Sequence, residues 1–391
     1  MTKQAKNQDL IIVGGGIMGL MTAYWASSFT KNITIIEKQE IGNNEAASFS
    51  FTRSMRTDYL DPIYVRFALE AQRFWRELEQ QSSEPLFINN GVLNIAKQSI
   101  TPNLATSYAE KSNFVLQKLN AGPESFSKAR LEKRFPQFNA DIGYLDTRGG
   151  YLKQQPTAKL LLKLLRDRGI TFVESCTTVS IEEKENLVSL ATDKGDFTGN
   201  KLVITAGVWA NDILAIIKNN IRTFPITPAK RKECRYYYPT PSTEEWFLPE
   251  KFPVFAYLDI GIYGHPIFDK EKGAVKISYY PQPDATSTDT GIISSISDFV
   301  QECLPMLRDA RSEPVEDADQ CFYDFVADDN FILGKLPDFD RIVVGAGWRG
   351  TGYKFSPWAG KVLAELALKG DTIYDITTFN PGRFKNNETS N

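Results

Sequence analysis

Three glycines near the start of the chain have the type and spacing of a phosphate-binding turn. An apolar run leads directly into Gly14, Gly16 and Gly19, and a stretch without helix breakers follows. In a strand–turn–helix unit the first glycine permits the tight turn, the second lets the backbone approach a pyrophosphate, and the third lets helix and strand pack closely. The phosphates would lie on the unpaired N–H groups at the start of the helix, which is predicted over residues 20–27, and Ile17 and Met18 in the turn are predicted to contact the ligand.

An acidic residue follows at the distance that a ribose contact requires. A second apolar run ends at Glu37, roughly twenty residues after the glycines, where a carboxylate accepts hydrogen bonds from ribose hydroxyls. Glu37 and the adjoining Lys38 are therefore predicted to contact the ligand. The carboxylate disfavours a 2′-phosphate, because two anions would repel each other. The segment is predicted to bind a dinucleotide; the alternative is a glycine-rich turn without a ligand.

Two later segments offer further backbone contacts to such a ligand. One apolar strand stops at Ala206, Gly207 and Trp209, and Val179 lies on an earlier strand of the same region. The other segment, near the C-terminus, is a strand and a glycine-rich turn before a helix predicted over residues 358–368. A helix N-terminus aimed at the carbonyl edge of a flavin ring would stabilise the negative charge that forms on reduction. The turn contains Gly347, Gly350, Gly352, Tyr353 and Lys354.

The composition argues against several classes of function. The chain of 391 residues has 42% hydrophobic and 24% charged residues and a net charge of −3. This balance gives no reason to expect nucleic acid or an anionic membrane as a partner. No apolar run reaches the roughly twenty residues that span a bilayer, and the N-terminus has no apolar core of a signal peptide. We expect a cytoplasmic protein.

The cysteines and the histidine limit the chemistry of the side chains. Four cysteines stand far apart, which fits neither a zinc site nor a disulfide framework. His265 is the one histidine of the sequence. We therefore expect no catalytic triad and no metal centre, and acid–base work falls to Lys, Tyr, Asp, Glu or a cofactor.

The order of the patterns predicts an α/β chain (α+β overall) with two interleaved domains. A Rossmann-type nucleotide-binding domain is predicted from residues 1–84, 145–222 and 318–391, where apolar strands alternate with helices. A mostly antiparallel β-sheet domain that walls the substrate pocket is predicted from residues 85–144 and 223–317. In these segments short aromatic strands alternate with proline and glycine.

The small, polar segment 41–56 is predicted to be a loop that folds over the bound ligand. It would place Ser48, Thr52, Arg53 and Arg56 beside the ligand. The alternative is a solvated surface, of which two arginines three residues apart are equally typical.

Taken in order, these motifs resemble those of the D-amino-acid-oxidase-like FAD-dependent oxidoreductase superfamily. Within it, the chain is most similar to the monomeric sarcosine oxidase and N-methyltryptophan oxidase group. The resemblance spans nearly the whole chain, and its C-terminal part is the most specific. The residues that carry it are Gly14, Gly16, Gly19, Glu37, Ser48, Thr52, Arg53, Arg56, Thr205, Gly207, Trp209, Lys276, Cys321, Tyr323, Asn330, Gly347, Gly350, Gly352 and Lys354.

The resemblance implies a covalently bound FAD and a cationic clamp for the substrate. In the family the 8α-methyl group of the flavin is joined to a cysteine sulfur, and Cys321 has that position; the alternative is an unattached buried cysteine. Arg56 and Lys354 match the cations that hold the substrate carboxylate, and such pairing offsets the cost of burying a carboxylate. For Lys354 the alternative is a solvated surface lysine.

Three further residues match pocket positions of the family. Lys276 matches the lysine that acts on the N5 side of the flavin and promotes the reaction with oxygen, since a cation stabilises the forming superoxide. The alternative for Lys276 is an outward-facing lysine on a strand. Tyr263 and Tyr323 match pocket tyrosines; otherwise they would be core aromatic residues.

Several residues depart from the family pattern. Tyr280 stands where a histidine is usual, and Phe49 and Phe51 replace smaller or polar residues. Arg349 replaces a small residue in the C-terminal glycine turn, and His265 stands where an apolar residue is usual. These changes argue against sarcosine itself and favour a bulkier amino acid or one with a second anionic group.

The resemblance therefore implies a monomeric FAD-dependent oxidase of amino acids or N-alkyl amino acids. It would oxidise the C–N bond of a small-molecule amino acid to an imine that hydrolyses, and reduce O2 to H2O2. Two alternatives stay open. One is a dehydrogenase of the same fold that uses another electron acceptor; the other is a flavoprotein that acts on a tethered or protein-bound amine as a biosynthetic or maturation partner.

Overall fold

The computed structural model describes residues 7–43, 46–48, 50–230, 233–269, 272–280, 293–315 and 322–384. The chain divides into two compact units, each assembled from separated stretches of sequence. Unit 1 comprises Met1–Phe49, Gln155–Ala229 and Cys321–Asn391, and unit 2 comprises Ser50–Gln154 and Lys230–Gln320.

The strands and helices alternate along the whole chain. The strands are β1 Gln8–Val13, β2 Ile33–Ile36, β3 Thr52–Met55, β4 Phe87–Ile88, β5 Val92–Ala96, β6 Glu124–Ser127, β7 Ile142–Asp146, β8 Gly150–Lys153, β9 Thr171–Val173, β10 Thr178–Glu183, β11 Val188–Thr192, β12 Gly195–Ile204, β13 Ile226–Lys230, β14 Cys234–Tyr238, β15 Val254–Tyr257, β16 Ile262–His265, β17 Val275–Tyr279, β18 Arg311–Pro314, β19 Phe322–Val326, β20 Ile332–Lys335 and β21 Ile342–Ala346. The helices are α1 Ile17–Ala26, α2 Pro62–Glu79, α3 Tyr108–Lys118, α4 Lys128–Arg134, α5 Gln154–Asp167, α6 Ala210–Ala215, α7 Ile296–Cys303 and α8 Gly352–Leu368.

The main sheet of unit 1 has a parallel centre. Strands β9, β2, β1 and β12 lie side by side in that order, all parallel, and β21 is a further parallel neighbour of β12. On the side of β12 away from β1, antiparallel strands β11 and β10 follow the first half of β12, and β20 pairs antiparallel with β21. The side chains of Leu10, Ile11 and Ile12 in β1 are fully buried, as expected for a central strand covered on both faces. The predicted Rossmann-type sheet is confirmed.

Two helices of unit 1 pack closely against each other, α1 and α8. A Cβ atom at Gly360 would lie 2.6 Å from the backbone carbonyl carbon of Met21, so only glycine permits this approach. The indole Nε1 of Trp25 donates a hydrogen bond to the carbonyl of Pro357 over 2.8 Å. These contacts join the helix after the first glycine turn to the helix after the last one.

The large sheet of unit 2 is antiparallel except at one pair of strands. Its order is β18-β14-β17-β16-β15-β5-β7-β6, and only β15 and β5 run parallel among the pairs of its described residues. Aromatic side chains fill its core, with Phe138 stacked on Phe252 and Phe255 stacked on Phe299. A smaller sheet, β3-β8-β4, completes the unit. The predicted antiparallel architecture is confirmed.

The loop predicted over residues 41–56 is wrong in its second half. Residues Thr52–Met55 form β3, which pairs antiparallel with β8. The short polar sequence gives little sign of a strand, and pairing with a partner about 100 residues away overrides local preference. Thr52 and Met55 are buried on this sheet.

The same pairing moves one predicted domain boundary. Residues 50–84, which the patterns assigned to the nucleotide-binding domain, belong to unit 2. The reason is that β3 pairs with β8 and that α2 packs on β4 and α3, all in unit 2. The other boundaries lie at residues 154–155, 229–230 and 320–321, where 144–145, 222–223 and 317–318 were predicted.

The last helix begins earlier than predicted. It starts at Gly352 and not at residue 358, so Tyr353 and Lys354 lie in its first turn. Pro357 inside the helix lacks the N–H that would bond the fourth residue before it, which favoured a later start. None of the described helices is long and apolar enough to cross a membrane.

Candidate active site

The first glycine turn of unit 1 brings the ends of β1 and β12 and the start of α1 together. Gly14 has a φ of +107°, which strains any other residue. A Cβ atom at Gly14 would lie 2.5 Å from the carbonyl oxygen of Thr205. A Cβ atom at Gly19 would lie 1.9 Å from the carbonyl oxygen of Gly14. Glycine is therefore required for the turn and for the contact between strand and helix.

The N-terminus of α1 is open toward a ligand. Its N-cap is Gly16, which has no side chain to bond the first turn, and a Cβ atom there would meet only Ser48 Oγ, at 3.4 Å. The N–H of Ile17 donates to that hydroxyl over 3.0 Å. Met18 and Gly19 are buried residues of the same turn, and no acceptor outside the helix within the described ranges bonds their N–H groups. Unpaired N–H groups of this kind bind phosphate.

Glu37 lies at the end of β2 and faces the glycine turn. Its Oε2 accepts a hydrogen bond from the N–H of Gly15 over 2.6 Å, and its Oε1 accepts one from the N–H of Gln39 over 3.0 Å. Each carboxylate oxygen has two lone pairs, so capacity remains to accept from ribose hydroxyls. Lys38 beside it is exposed.

The end of β12 contributes backbone from the other side of the turn. The hydroxyl of Thr205 donates to the carbonyl of Gly14 over 3.1 Å. Ala206 and Gly207 follow, and Gly207 has a φ of +57° with open space around its Cα. Trp209 is 41% exposed. Val179 lies on edge strand β10 at an irregularity of its pairing with β11, and its side chain is 59% exposed.

The C-terminal glycine turn lies near both α1 and β19. A Cβ atom at Gly352 would lie 3.0 Å from the Cε of Met18. A Cβ atom at Gly350 would lie 2.7 Å from the ring of Tyr323, which is buried on β19. Gly347 has a φ of +67°. Unit 1 thus brings both predicted glycine turns together, whereas Cys321 lies outside the described residues.

One charged side chain of unit 1, that of Lys354, is buried close to this turn. Lys354 is 5% exposed, and its Nζ donates to the carbonyl of Thr351 over 3.0 Å. Its burial argues against the alternative of a solvated surface lysine. Tyr353 beside it is buried as well.

Asp324 is a buried acid that the sequence analysis missed. It is 6% exposed on β19, and its Oδ1 accepts a hydrogen bond from the N–H of Arg349 over 3.0 Å. Burial raises the pKa of Asp324 to about 6, although the backbone N–H groups of Trp348, Arg349 and Gly347 oppose the rise. The sequence could have indicated Asp324 through its position between the apolar residues of a strand.

In unit 2, Lys276 is buried beside the single histidine. Lys276 on β17 is 2% exposed, and its Nζ donates to the Oγ of Ser50 over 2.9 Å. His265 is the residue directly opposite on β16. The structure therefore excludes an outward-facing lysine at this position.

His265 holds strand β3 through both ring nitrogens. Its Nδ1 lies 2.6 Å from the hydroxyl of Thr52, and its Nε2 lies 2.8 Å from that of Ser54. Burial, together with the charges of Lys276 and Arg53, lowers the pKa of His265 well below its ordinary value of 6.5. The imidazole is thus neutral, and it aligns the strand that carries Arg53. Tyr263, half-buried on β16, has its ring centroid 5.9 Å from that of His265.

Arg56 follows β3 and forms a buried ion pair that the sequence analysis missed. Its Nη1 lies 2.9 Å from Asp58 Oδ2, and its guanidinium carbon lies 4.5 Å from the ring centroid of Tyr59. Burial opposes the charge, but Asp58 and Tyr108 hold the pKa of Arg56 well above its ordinary value. The spacing Arg-x-Asp was visible in the sequence but has no specific meaning alone.

The residues of unit 1 fit the ADP half of FAD. A pyrophosphate matches the N–H groups at the start of α1 and the space at Gly16 that a Cβ atom would enter. A ribose matches the remaining lone pairs of Glu37. Thr52, Arg53, Arg56, Tyr263 and Lys276 belong to unit 2, and Tyr323 and Lys354 belong to unit 1. The described residues contain no cluster of side chains suited to a metal ion.

Comparisons with known proteins agree with this geometry. A family model described as DAO, FAD dependent oxidoreductase, matches residues 9–366. The chain is 29% identical over 399 residues to peroxisomal sarcosine oxidase of Homo sapiens, with 98% of each chain covered. It is 26% identical over 392 residues to N-methyl-L-tryptophan oxidase of Yersinia pestis (strain Pestoides F), with 96% of this chain and 99% of the relative covered.

Solved structures share the fold. NikD, described as an unusual amino acid oxidase essential for nikkomycin biosynthesis, has a TM-score of 0.76 at 22% identity, with 96% of this chain and 98% of that chain covered. Glycine oxidase from Geobacillus kaustophilus has a TM-score of 0.76 at 18% identity, with 97% and 99% covered. At these identities the likeness concerns the fold alone.

Proposed function

The chain belongs to the family of FAD-dependent oxidoreductases, and from this we propose that it is an oxidase of amino acids or N-alkyl amino acids. The two curated relatives described above are oxidases of that kind by name. The enzyme would oxidise the C–N bond of its substrate to an imine that hydrolyses in water. Bound FAD supplies the acceptor for the hydride equivalent, and O2 is the final oxidant.

The observation that carries the substrate class is the buried arginine of unit 2. Arg56 is 12% exposed at its side chain, and a planar guanidinium binds a carboxylate through two parallel hydrogen bonds. Lys354 is the second cation proposed for this clamp. A carboxylate held by two cations orients the α-carbon and its amine for reaction.

The remaining residues take roles in cofactor binding and oxygen activation. Gly14, Gly16, Gly19 and Glu37 would hold the ADP half, and Cys321 would bind the flavin covalently through the 8α-methyl group. Lys276, a buried cation, would stabilise the superoxide that forms from O2. Tyr263 and Tyr323 would line the substrate pocket. Further cofactor contacts are proposed for Ile17, Met18, Lys38, Ser48, Thr52, Arg53, Val179, Ala206, Gly207, Trp209, Gly347, Gly350, Gly352, Tyr353 and Lys354.

The amine of the substrate must be neutral to release a hydride equivalent, so the rate of flavin reduction is expected to rise with pH. A cytoplasmic location and a monomeric state stay predictions from the sequence.

Anaerobic mixing with a panel of N-methyl, cyclic and plain amino acids tests the proposal. The holoenzyme is expected to lose its visible flavin absorbance with at least one member of the panel. Failure of every amino acid to bleach the flavin would favour the maturation-partner alternative.

A further inference from the structure

Arg56 and Asp58 form an ion pair within unit 2 that binding of a substrate carboxylate does not itself require. The Nη1 of Arg56 donates to the Oδ2 of Asp58 over 2.9 Å and to its backbone carbonyl over 2.8 Å. The same nitrogen lies 3.3 Å from the hydroxyl of Tyr108, which donates to the carbonyl of Asp58 over 2.8 Å. One end of the guanidinium is thus held by three acceptors.

The opposite edge of the guanidinium, formed by Nε and Nη2, is available to a ligand. Arginine carries five N–H donors in a fixed fork, and within the described ranges no residue accepts a hydrogen bond from Nε or Nη2 of Arg56. The rings of Tyr59 and Tyr108 lie 4.5 Å and 5.9 Å from its guanidinium carbon. The Nε–Nη2 edge is the one that binds a carboxylate with two parallel hydrogen bonds.

We propose that Asp58 is a positioning residue, which holds Nη1 of Arg56 so that the Nε–Nη2 edge is fixed for the substrate carboxylate. This inference rests on the proposed function, because it assumes a substrate with a carboxylate. It adds to that function a residue that does not itself touch the substrate.

The burial of Asp58 favours its ion pair with Arg56. Asp58 is 1% exposed, and its Oδ1 is buried without a hydrogen-bond partner among the residues that the structure describes. Burial raises the pKa of Asp58, as does the charge of Asp146 to a smaller extent, whereas Arg56, a backbone N–H and the side chain of Asn94 oppose the rise. Movement of Arg56 away from Asp58 would leave a buried carboxylate unpaired, which is costly. The guanidinium therefore stays in place and the substrate carboxylate comes to it.

The test compares Asp58→Ala and Asp58→Asn in the holoenzyme. An asparagine oxygen still accepts a hydrogen bond from Nη1, whereas alanine offers none. For Asp58→Ala we expect the KM of the best amino acid of the panel to rise at least about tenfold, with kcat changed much less, because an unoriented guanidinium loses its paired hydrogen bonds. Asp58→Asn should recover most of this loss.

A second measurement does not depend on turnover. The dissociation constant of acetate, measured by isothermal titration calorimetry, should rise at least about tenfold in Asp58→Ala, and that of acetamide should not. The control is Glu302→Gln, which removes another acid of unit 2 that pairs with a cation, Lys97. The control should leave both dissociation constants within about twofold, since it does not touch Arg56.

The outcomes separate this inference from the proposed function. An unchanged KM and unchanged acetate binding in a folded Asp58→Ala protein would overturn the positioning role. So would equal losses in Asp58→Asn and Asp58→Ala, since Asp58 would then act by charge and not by holding Nη1. If Arg56→Lys also leaves the KM unchanged, the carboxylate clamp of the proposed function fails as well.

Discussion

Lys276 and His265 lie directly opposite each other on adjacent antiparallel strands, and both are buried. The lysine donates to Ser50, and the imidazole lies between the hydroxyls of Thr52 and Ser54. A cation next to an imidazole disfavours protonation of the ring. The imidazole, whose protonation burial and Lys276 disfavour, thus fixes the strand that leads to Arg56.

The buried histidine predicts acid sensitivity. Because the pKa of His265 is lowered in the folded protein, the unfolded chain binds a proton below about pH 6.5 that the folded chain does not. The free energy of unfolding should therefore fall as pH falls from about 7 to about 5, by up to about 1.4 kcal/mol per pH unit. Urea denaturation should show that this fall in the free energy of unfolding is absent from His265→Gln. Equal pH slopes in the two proteins would contradict the account.

Replacement of Lys276 should affect the reaction with oxygen more than the reaction with substrate. Lys276→Met removes the buried cation, and reoxidation of the reduced flavin by O2 should slow by roughly a hundredfold or more, whereas flavin reduction should change far less. Stopped-flow absorbance measures the two half-reactions separately. The control is Lys251→Met, which removes a lysine of the same unit that pairs with Glu245 and should alter neither. If Lys276→Met reoxidises at the wild-type rate, the dehydrogenase alternative gains support.

Two glycines of the first turn, Gly16 and Gly19, should respond differently to alanine. Gly19→Ala places a methyl group 1.9 Å from the carbonyl of Gly14, so β1 and α1 must separate and the folded protein should be lost or destabilised by at least about 1–3 kcal/mol. Gly16→Ala meets only Ser48 Oγ at 3.4 Å and should fold. Its methyl group enters the proposed pyrophosphate site, so the FAD content after purification should drop. Full FAD content in folded Gly16→Ala would argue against this site.

The buried acid of β19 should give the opposite pH dependence from that of His265. The pKa of Asp324 is raised from 3.8 to about 6 in the folded protein. As pH rises, the unfolded chain therefore releases the proton of this carboxyl group at a lower pH than the folded chain does. Stability is therefore lost between about pH 4 and about pH 6, by about 3 kcal/mol at most. Asp324→Asn keeps an acceptor for the N–H of Arg349 and should remove this loss in urea denaturation. Asp196→Asn, an exposed acid of unit 1, is the control and should keep it.

The sequence predicted those parts of the fold that local patterns determine. The strand–glycine–helix unit at Gly14 follows from an apolar run and three glycines, and the structure has β1 and α1 at those positions. Strand β3 could not be predicted, because its pairing with β8 depends on residues about 100 positions away.

Residues of the candidate site could be predicted where a short motif or a family position identifies them. They could not be predicted where only their packing in the folded protein suggests a role. The glycine turns are recognisable from the sequence itself, whereas Lys276 was predicted through the family resemblance. Asp58 and Asp324 are ordinary acids there, and only burial beside Arg56 or beneath the turn at Arg349 gives them a role. The same holds for the two hydroxyls that flank His265.

The covalent link is tested by denaturation of the holoenzyme. If Cys321 carries the flavin, yellow colour should remain with the precipitated polypeptide, and Cys321→Ala should release it to the supernatant. Colour in the supernatant of the unmodified protein would show that the flavin is not covalently bound.

The central claim is that this chain oxidises an amino acid at the expense of O2. The most direct measurement is the stoichiometry of O2 consumed and H2O2 formed while the holoenzyme turns over the amino acid that bleaches its flavin. The account predicts one H2O2 for each amino acid oxidised, and a rate that rises with pH as the amine loses its proton. Flavin bleaching without O2 consumption would contradict it and assign the chain to the dehydrogenases of the same fold.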